Sequence, residues 1–100
     1  SCPAALEIVI GKETTRIDLH KLKYIESFAN YMELVFEGNR KQILRTTMTH
    51  LESALPDSFL RIHKSYIINK RHLNGINHNR VIVGNKVLPV GRAFSKNLEM

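Results

Sequence analysis

The sequence predicts a mainly β domain of small antiparallel sheets, with one short central α-helix and a C-terminal helical turn. Two observations carry this. Most apolar residues recur at period two in short runs, the spacing that lines one face of a strand. Those runs are separated by turn pairs such as Gly11-Lys12, Gly38-Asn39 and Gly84-Asn85, and one segment alone has helical spacing.

Leu6, Ile8 and Ile10 alternate through residues 4–10, and Gly11-Lys12 ends the run. Ile17 and Leu19 alternate with Arg16 and Asp18 through residues 15–19, so the two runs form a hairpin around residues 11–13. Residues 23–28 and 31–37 follow, joined at Ala29-Asn30. In the second run Met32, Leu34 and Phe36 share one face, and Tyr31, Glu33, Val35 and Glu37 share the other. Gly38-Asn39 turns the chain into residues 41–46.

Met48, Leu51 and Leu55 then stand at i, i+3 and i+7 before Pro56-Asp57 stops the helix. Thr49 with Glu52 has capping-box form, and Thr46 and Thr47 are alternative caps. At about two turns this helix persists only by packing on the sheets. Residues 59–69 begin as an alternating strand and end as a β-branched, aromatic run. The alternation breaks at His63-Lys64-Ser65, which marks a bend or loop at the surface. Residues 73–76, 81–83 and 87–90 are further strands, with turns at 77–79 and Gly84-Asn85. Residues 92–100 form a last helical turn with Phe94 and Leu98 on one side.

One hundred residues suit a single domain with one modest core. Residues 4–100 are expected to be that domain, and residues 1–3 a flexible N-terminal remnant or linker. With no initiator Met, the chain is expected to be an excised domain. A hydrophobic share of 43% against a charged share of 24% argues against disorder. No apolar run approaches the ~20 residues of a spanning helix, and no signal-peptide pattern opens the chain. Cys2 is the sole cysteine, which excludes an internal disulfide and a Cys-based zinc site. A cytoplasmic setting is expected.

Charge is uneven. Residues 1–57 carry seven Lys/Arg and eight Asp/Glu, whereas residues 58–98 carry eight Lys/Arg and no acid. The whole chain has a net charge of +6. An acid-free stretch avoids repelling a polyanion and leaves counterion release as a binding force. The plainer alternative is a basic surface kept for solubility.

His20, His50, His63, His72 and His78 show no metal-binding spacing, and Ser65 with His63 lacks a nearby acid. The glycines are single and sit at turns, so there is no phosphate-cradling loop. No enzyme activity, cofactor or metal is expected. Three segments remain as binding candidates. Lys64 and Ser65 at the polar break offer an ammonium and a hydroxyl to phosphate or base edges. Arg92, Ser95 and Lys96 follow Pro89 and Gly91, where a planar fork stands at a strand exit. The turn at Asn30, Tyr31 and Met32 offers an amide and a π-face, although by itself it reads as a plain turn. His63 is expected to be a buried histidine bonded to backbone.

These motifs resemble the LytTR DNA-binding domain, an output module of bacterial response regulators. The resemblance rests on Tyr24-Ile25-Glu26-Ser27, Asn30-Tyr31, Arg45-Thr46-Thr47-Met48 and Leu51-Glu52. It continues through the block from Leu55-Pro56 to Asn69 and closes on Leu88-Pro89-Val90-Gly91-Arg92. It implies an elongated β-β-β arrangement whose loops enter major grooves of double-stranded DNA, on direct repeats. It further implies transcription regulation in a two-component system, a receiver or sensor domain in the full-length protein, and a dimer on DNA. Carried over, Lys64 and Arg92 contact base edges, and Ser65, Ser95 and Lys96 hold phosphates. Met32 either meets a thymine methyl or packs inward with Leu34. Structural roles are expected for His63 and Asn69. The competing class is a small β-rich protein-interaction module without DNA specificity. Single-stranded nucleic-acid binding ranks lower, because the chain has three Tyr, four Phe and no Trp to stack bases.

Overall fold

The computed structural model describes residues 3–77 and 79–98. Strands β1 (Ala5–Ile10) and β2 (Glu13–Asp18) form a hairpin across Gly11-Lys12. Gly11 adopts φ 62° there, a conformation open to glycine at no steric cost. Strands β3 (Leu22–Ser27), β4 (Met32–Phe36), β5 (Lys41–Leu44), β6 (Phe59–His63) and β7 (Tyr66–Asn69) make a five-stranded antiparallel sheet. Its order is β5-β4-β3-β7-β6. Strands β8 (Leu73–Asn77), β9 (Arg80–Val83) and β10 (Lys86–Pro89) form a three-stranded meander. Helix α1 (Met48–Ala54) connects β5 to β6, and a 3-10 helix spans Arg92–Leu98. Ser1, Cys2, Glu99 and Met100, and His78 within the expected 77–79 turn, lie outside the described residues.

The central sheet is buried on both faces, which is why period two alone misses the hydrophobicity of β3 and β4. Met32, Leu34 and Phe36 join Ile25, Ile67, Ile8, Ile17, Met48 and Leu51 in a core under the hairpin and α1. Val35, Tyr24, Ile62 and Ile68 turn the other way and meet Val81, Val83 and Leu88 of the meander. The expected single core is therefore two, one on each face of a shared sheet. Leu22 and Ile25 share a face despite their odd separation because the pairing shifts between Leu22 and Tyr24. The result is elongated, 41 × 25 × 24 Å.

Two polar side chains fix the backbone around them. Thr47 caps α1, its Oγ1 accepting the His50 amide at 3.1 Å, so the cap is one of the alternatives and not Thr49. Glu52 instead pairs with Arg61 at 3.2 Å. Asn69 is buried to 1% exposure. Its Nδ2 donates to the carbonyls of Leu19 and Leu22 at 3.1 and 2.8 Å, and its Oδ1 accepts the Arg71 amide at 3.0 Å. All its principal donors and acceptors are satisfied, which makes its burial affordable and its role structural.

Candidate nucleic-acid interface

The antiparallel register brings the three candidate segments to one end of the central sheet. Ser27 pairs with Met32, so residues 28–31 close β3 onto β4 there. Glu26 pairs with Tyr66, which puts the Lys64-Ser65 turn at the same end. The Ser27 amide donates to the Ser65 carbonyl at 2.8 Å, joining the two. The centres of these two connections lie two strand spacings apart, about 10 Å. The third segment flanks edge strand β6. The Gly91 amide donates to the Ile62 carbonyl at 2.7 Å, and Asn97 Nδ2 donates to the Arg61 carbonyl at 2.8 Å. A Cβ on Gly91 would stand 3.5 Å from His63 Cα and 3.2 Å from the Phe94 ring, so close approach explains the glycine.

Lys64, Arg92 and Lys96 are exposed along this rim, and Asn30 is exposed at the tip of the first loop. Tyr31 stacks on Phe28 with ring centroids 4.9 Å apart and 17° between planes. Phe28 had no role in the sequence reading, where it ended a strand. Its 37% exposure on a loop, with its ring against Tyr31, places an apolar surface beside Asn30. Met32 is 5% exposed within the first core, so of its two expected roles the inward one is realised. Met32 shares the face of Leu34 and Phe36, and the packing of the hairpin and α1 covers that face.

His63 Nδ1 accepts the Ser65 amide at 3.1 Å, which shapes the turn; the expected backbone bond is present, but His63 is half-buried rather than buried, because it ends β6 at the sheet's rim. Ser65 thus has its amide and carbonyl committed. Ser95 Oγ donates to the Arg92 carbonyl at 3.1 Å, so its single donor is engaged in the free domain. Asn79, Val90, Arg92 and Ser95 line a concavity of about 430 Å³ at the rim, which adds Asn79 to the residues within reach of Arg92. Just behind the rim, the Tyr66 hydroxyl donates to Glu26 at 3.2 Å, and Lys41 pairs with Glu33 at 3.4 Å. Burial, then the Glu26 charge, holds the Tyr66 phenol above its ordinary pKa. Tyr24 is raised by burial first, then by Glu26 and Glu33.

The basic stretch divides between the two ends of the molecule. Arg80 pairs with Pro89 at the rim end, beside Val90, whose amide donates to the Asn79 carbonyl at 2.9 Å. Lys70 and Arg71 follow Asn69 at the opposite end, beside Leu22, and Lys86 lies near the Gly84 turn, which packs on Lys23. The charge run of residues 58–98 therefore does not form one face. Arg61 faces inward: its side chain is 18% exposed and fully engaged with neighbours. Nε donates to the His63 carbonyl at 3.3 Å and Nη2 to the Lys64 carbonyl at 2.8 Å. Its guanidinium also lies 5.3 Å from the Phe94 ring centroid.

Fold and rim together define a class: a β domain whose loops carry exposed basic side chains, with no helix-turn-helix pair among the described residues. The family model described as the LytTr DNA-binding domain matches residues 12–100, and the chain belongs to that family. Among solved structures it is similar to the LytTr DNA-binding domain of a Bacillus cereus protein described as a methyl-accepting/DNA response regulator. Identity is 20%, the TM-score is 0.75, and 95% of this chain and 93% of that one are covered. At that identity the likeness speaks for the fold. No curated protein sequence matches the chain.

Proposed function

We propose that the domain binds double-stranded DNA sequence-specifically, reading major grooves with its rim loops, as the output domain of a bacterial two-component response regulator. The observation that carries the reading is the convergence of Lys64, Arg92 and Lys96 on one rim, next to the Asn30–Tyr31 loop. Lys64 and Arg92 contact base edges, where a planar guanidinium fork suits guanine. Lys96 and Ser65 hold phosphates. Ser95 reaches phosphate only by exchanging its bond to the Arg92 carbonyl, and otherwise serves to shape the Arg92 backbone. Asn30 and Tyr31 approach the sugar-phosphate backbone, and Met32 drops out of the contact set. The regulator is cytoplasmic, its operator a direct repeat occupied by two copies, and its control lies in a receiver or sensor domain.

Selection of bound duplexes from a random pool, followed by salt titration on the winner, tests this. An enriched motif and a steep linear fall of log K with log salt are expected, about 0.9 per phosphate contacted. Arg92→Ala should cost about 1–3 kcal/mol and relax preference at one base position. Unchanged affinity and preference in that variant would remove Arg92 from the readers. A second reading is a small β-rich protein-interaction module. It draws on Ile82 and Val87, cross-strand neighbours exposed on the outer face of the meander. No enriched motif, with partner binding insensitive to salt, would favour it.

A further inference from the structure

We infer that Arg61 is a positioning residue that locks the Lys64-Ser65 turn and the Arg92–Leu98 helix into one rigid reading unit, without touching DNA itself. This rests on the DNA-binding reading of the rim. Eight cations in residues 58–98 look equivalent in sequence, and Arg61 differs from the others by its surroundings. Each of its three guanidinium nitrogens has a partner: Nε the His63 carbonyl, Nη2 the Lys64 carbonyl, Nη1 the Glu52 carboxylate at 3.2 Å. Two of these partners are consecutive carbonyls entering the turn, so a planar fork fixes the peptide that carries Lys64. The same guanidinium covers the Phe94 ring, near the start of the 3-10 helix, at 5.3 Å. The Arg61 carbonyl accepts Asn97 Nδ2 at 2.8 Å, near the end of that helix. One residue thus contacts both reading segments and, through Glu52, helix α1.

The chemistry requires arginine. Lysine is a compact point charge that cannot hold two carbonyls, a carboxylate and a ring face in one plane. Because the Arg61 charge is already met by Glu52 and mostly out of water, it has little part in counterion release. Removing it should therefore alter geometry more than the ionic component of binding. That distinguishes Arg61 from Lys64, Arg92 and Lys96, whose heads are exposed and have no partner among the described residues.

The test compares wild type, Arg61→Lys and Arg61→Ala on the duplex that wild type selects. Expected for both variants is an affinity loss of roughly tenfold or more, equivalent to about 1.4 kcal/mol. Preference should relax at the base positions assigned to Lys64 and to Arg92 together, and the salt slope should stay that of wild type. Ser65 and Phe94 amides should exchange faster in Arg61→Lys, in step, and by more than the change in global stability accounts for. Arg61→Lys binding like wild type would overturn the inference, as would a slope shallower by about 0.9 in Arg61→Ala, the mark of a direct phosphate contact. If neither variant folds, the wild-type Arg61 Nε–H resonance decides. Slow exchange and an unchanged shift on adding duplex support the lock, and a new shift or lost protection refutes it. Should wild type bind no duplex, the DNA reading itself fails. The paired exchange of Ser65 and Phe94 then still judges the lock.

Discussion

The Tyr66 hydroxyl, donated to Glu26 at 3.2 Å, stands one residue behind the rim and bears on how stability should depend on pH. A phenol whose pKa rises on folding stabilises the native state below its unfolded value. That contribution is lost as pH climbs through the folded value. Tyr66 and Tyr24 are both raised above the ordinary 10.0, each by burial first and then by Glu26. Denaturant melts between pH 7 and strongly alkaline solution should show stability flat near neutrality and falling above the ordinary phenol value. Tyr66→Phe should soften the fall, and an unaltered profile would clear Tyr66 of the effect. The same residue-scale logic separates the rim side chains. Lys64 and Arg92 are exposed, with no side-chain partner among the described residues, whereas Asn69 is saturated by backbone and His63 Nδ1 is committed to the Ser65 amide, so substituting the latter pair disturbs the fold first.

Helix α1 and the closing 3-10 helix show how short elements persist here. Seven residues do not hold a helix in water. Leu51 at 0% and Met48 at 6% exposure tie α1 to the first core, and His50 Nε2 meets the Val9 carbonyl at 3.2 Å. Thr47 satisfies an otherwise unpaired amide at its start. Thr47→Ala should therefore cost about 1 kcal/mol in denaturant unfolding while leaving the salt slope of DNA binding unchanged. A change in slope would mean that α1 takes part in contact. The Arg92–Leu98 helix leans on β6 through Gly91, Phe94 and Asn97, so its orientation is set by that edge strand. The break at His63-Lys64-Ser65 was legible because three polar residues interrupt an apolar run. Phe28 was not, because an aromatic at a strand end looks alike whether it faces core or solvent.

Across the whole molecule, antiparallel pairing sorts the basic residues by position along the strands. Lys64, Arg80, Arg92 and Lys96 arrive at the rim, and Lys70, Arg71 and Lys86 at the far end. A double Lys70→Ala, Arg71→Ala variant should keep the wild-type salt slope on a single duplex. Lys96→Ala, which removes the proposed phosphate contact, should lower it by roughly 0.9. A reduced slope in the double variant would mean that DNA extends to the far end. The sequence by itself determined the strand runs, the turns between them, the helix and the block of motifs from Leu55 to Asn69 that carries family resemblance. These follow from local periodicity and from the steric demands of turn residues. Only the tertiary structure decided that Met32 points inward in a sheet covered on both faces, that Thr47 is the cap, and that the Arg61 guanidinium is held by Glu52 and the His63 and Lys64 carbonyls. It also decided which cations share an end, and alternation alone had fixed only that Met32, Leu34 and Phe36 share a face. Those outcomes depend on register and on partners distant along the chain, such as Ser27 with Ser65 or Asn97 with Arg61, and no local pattern encodes them.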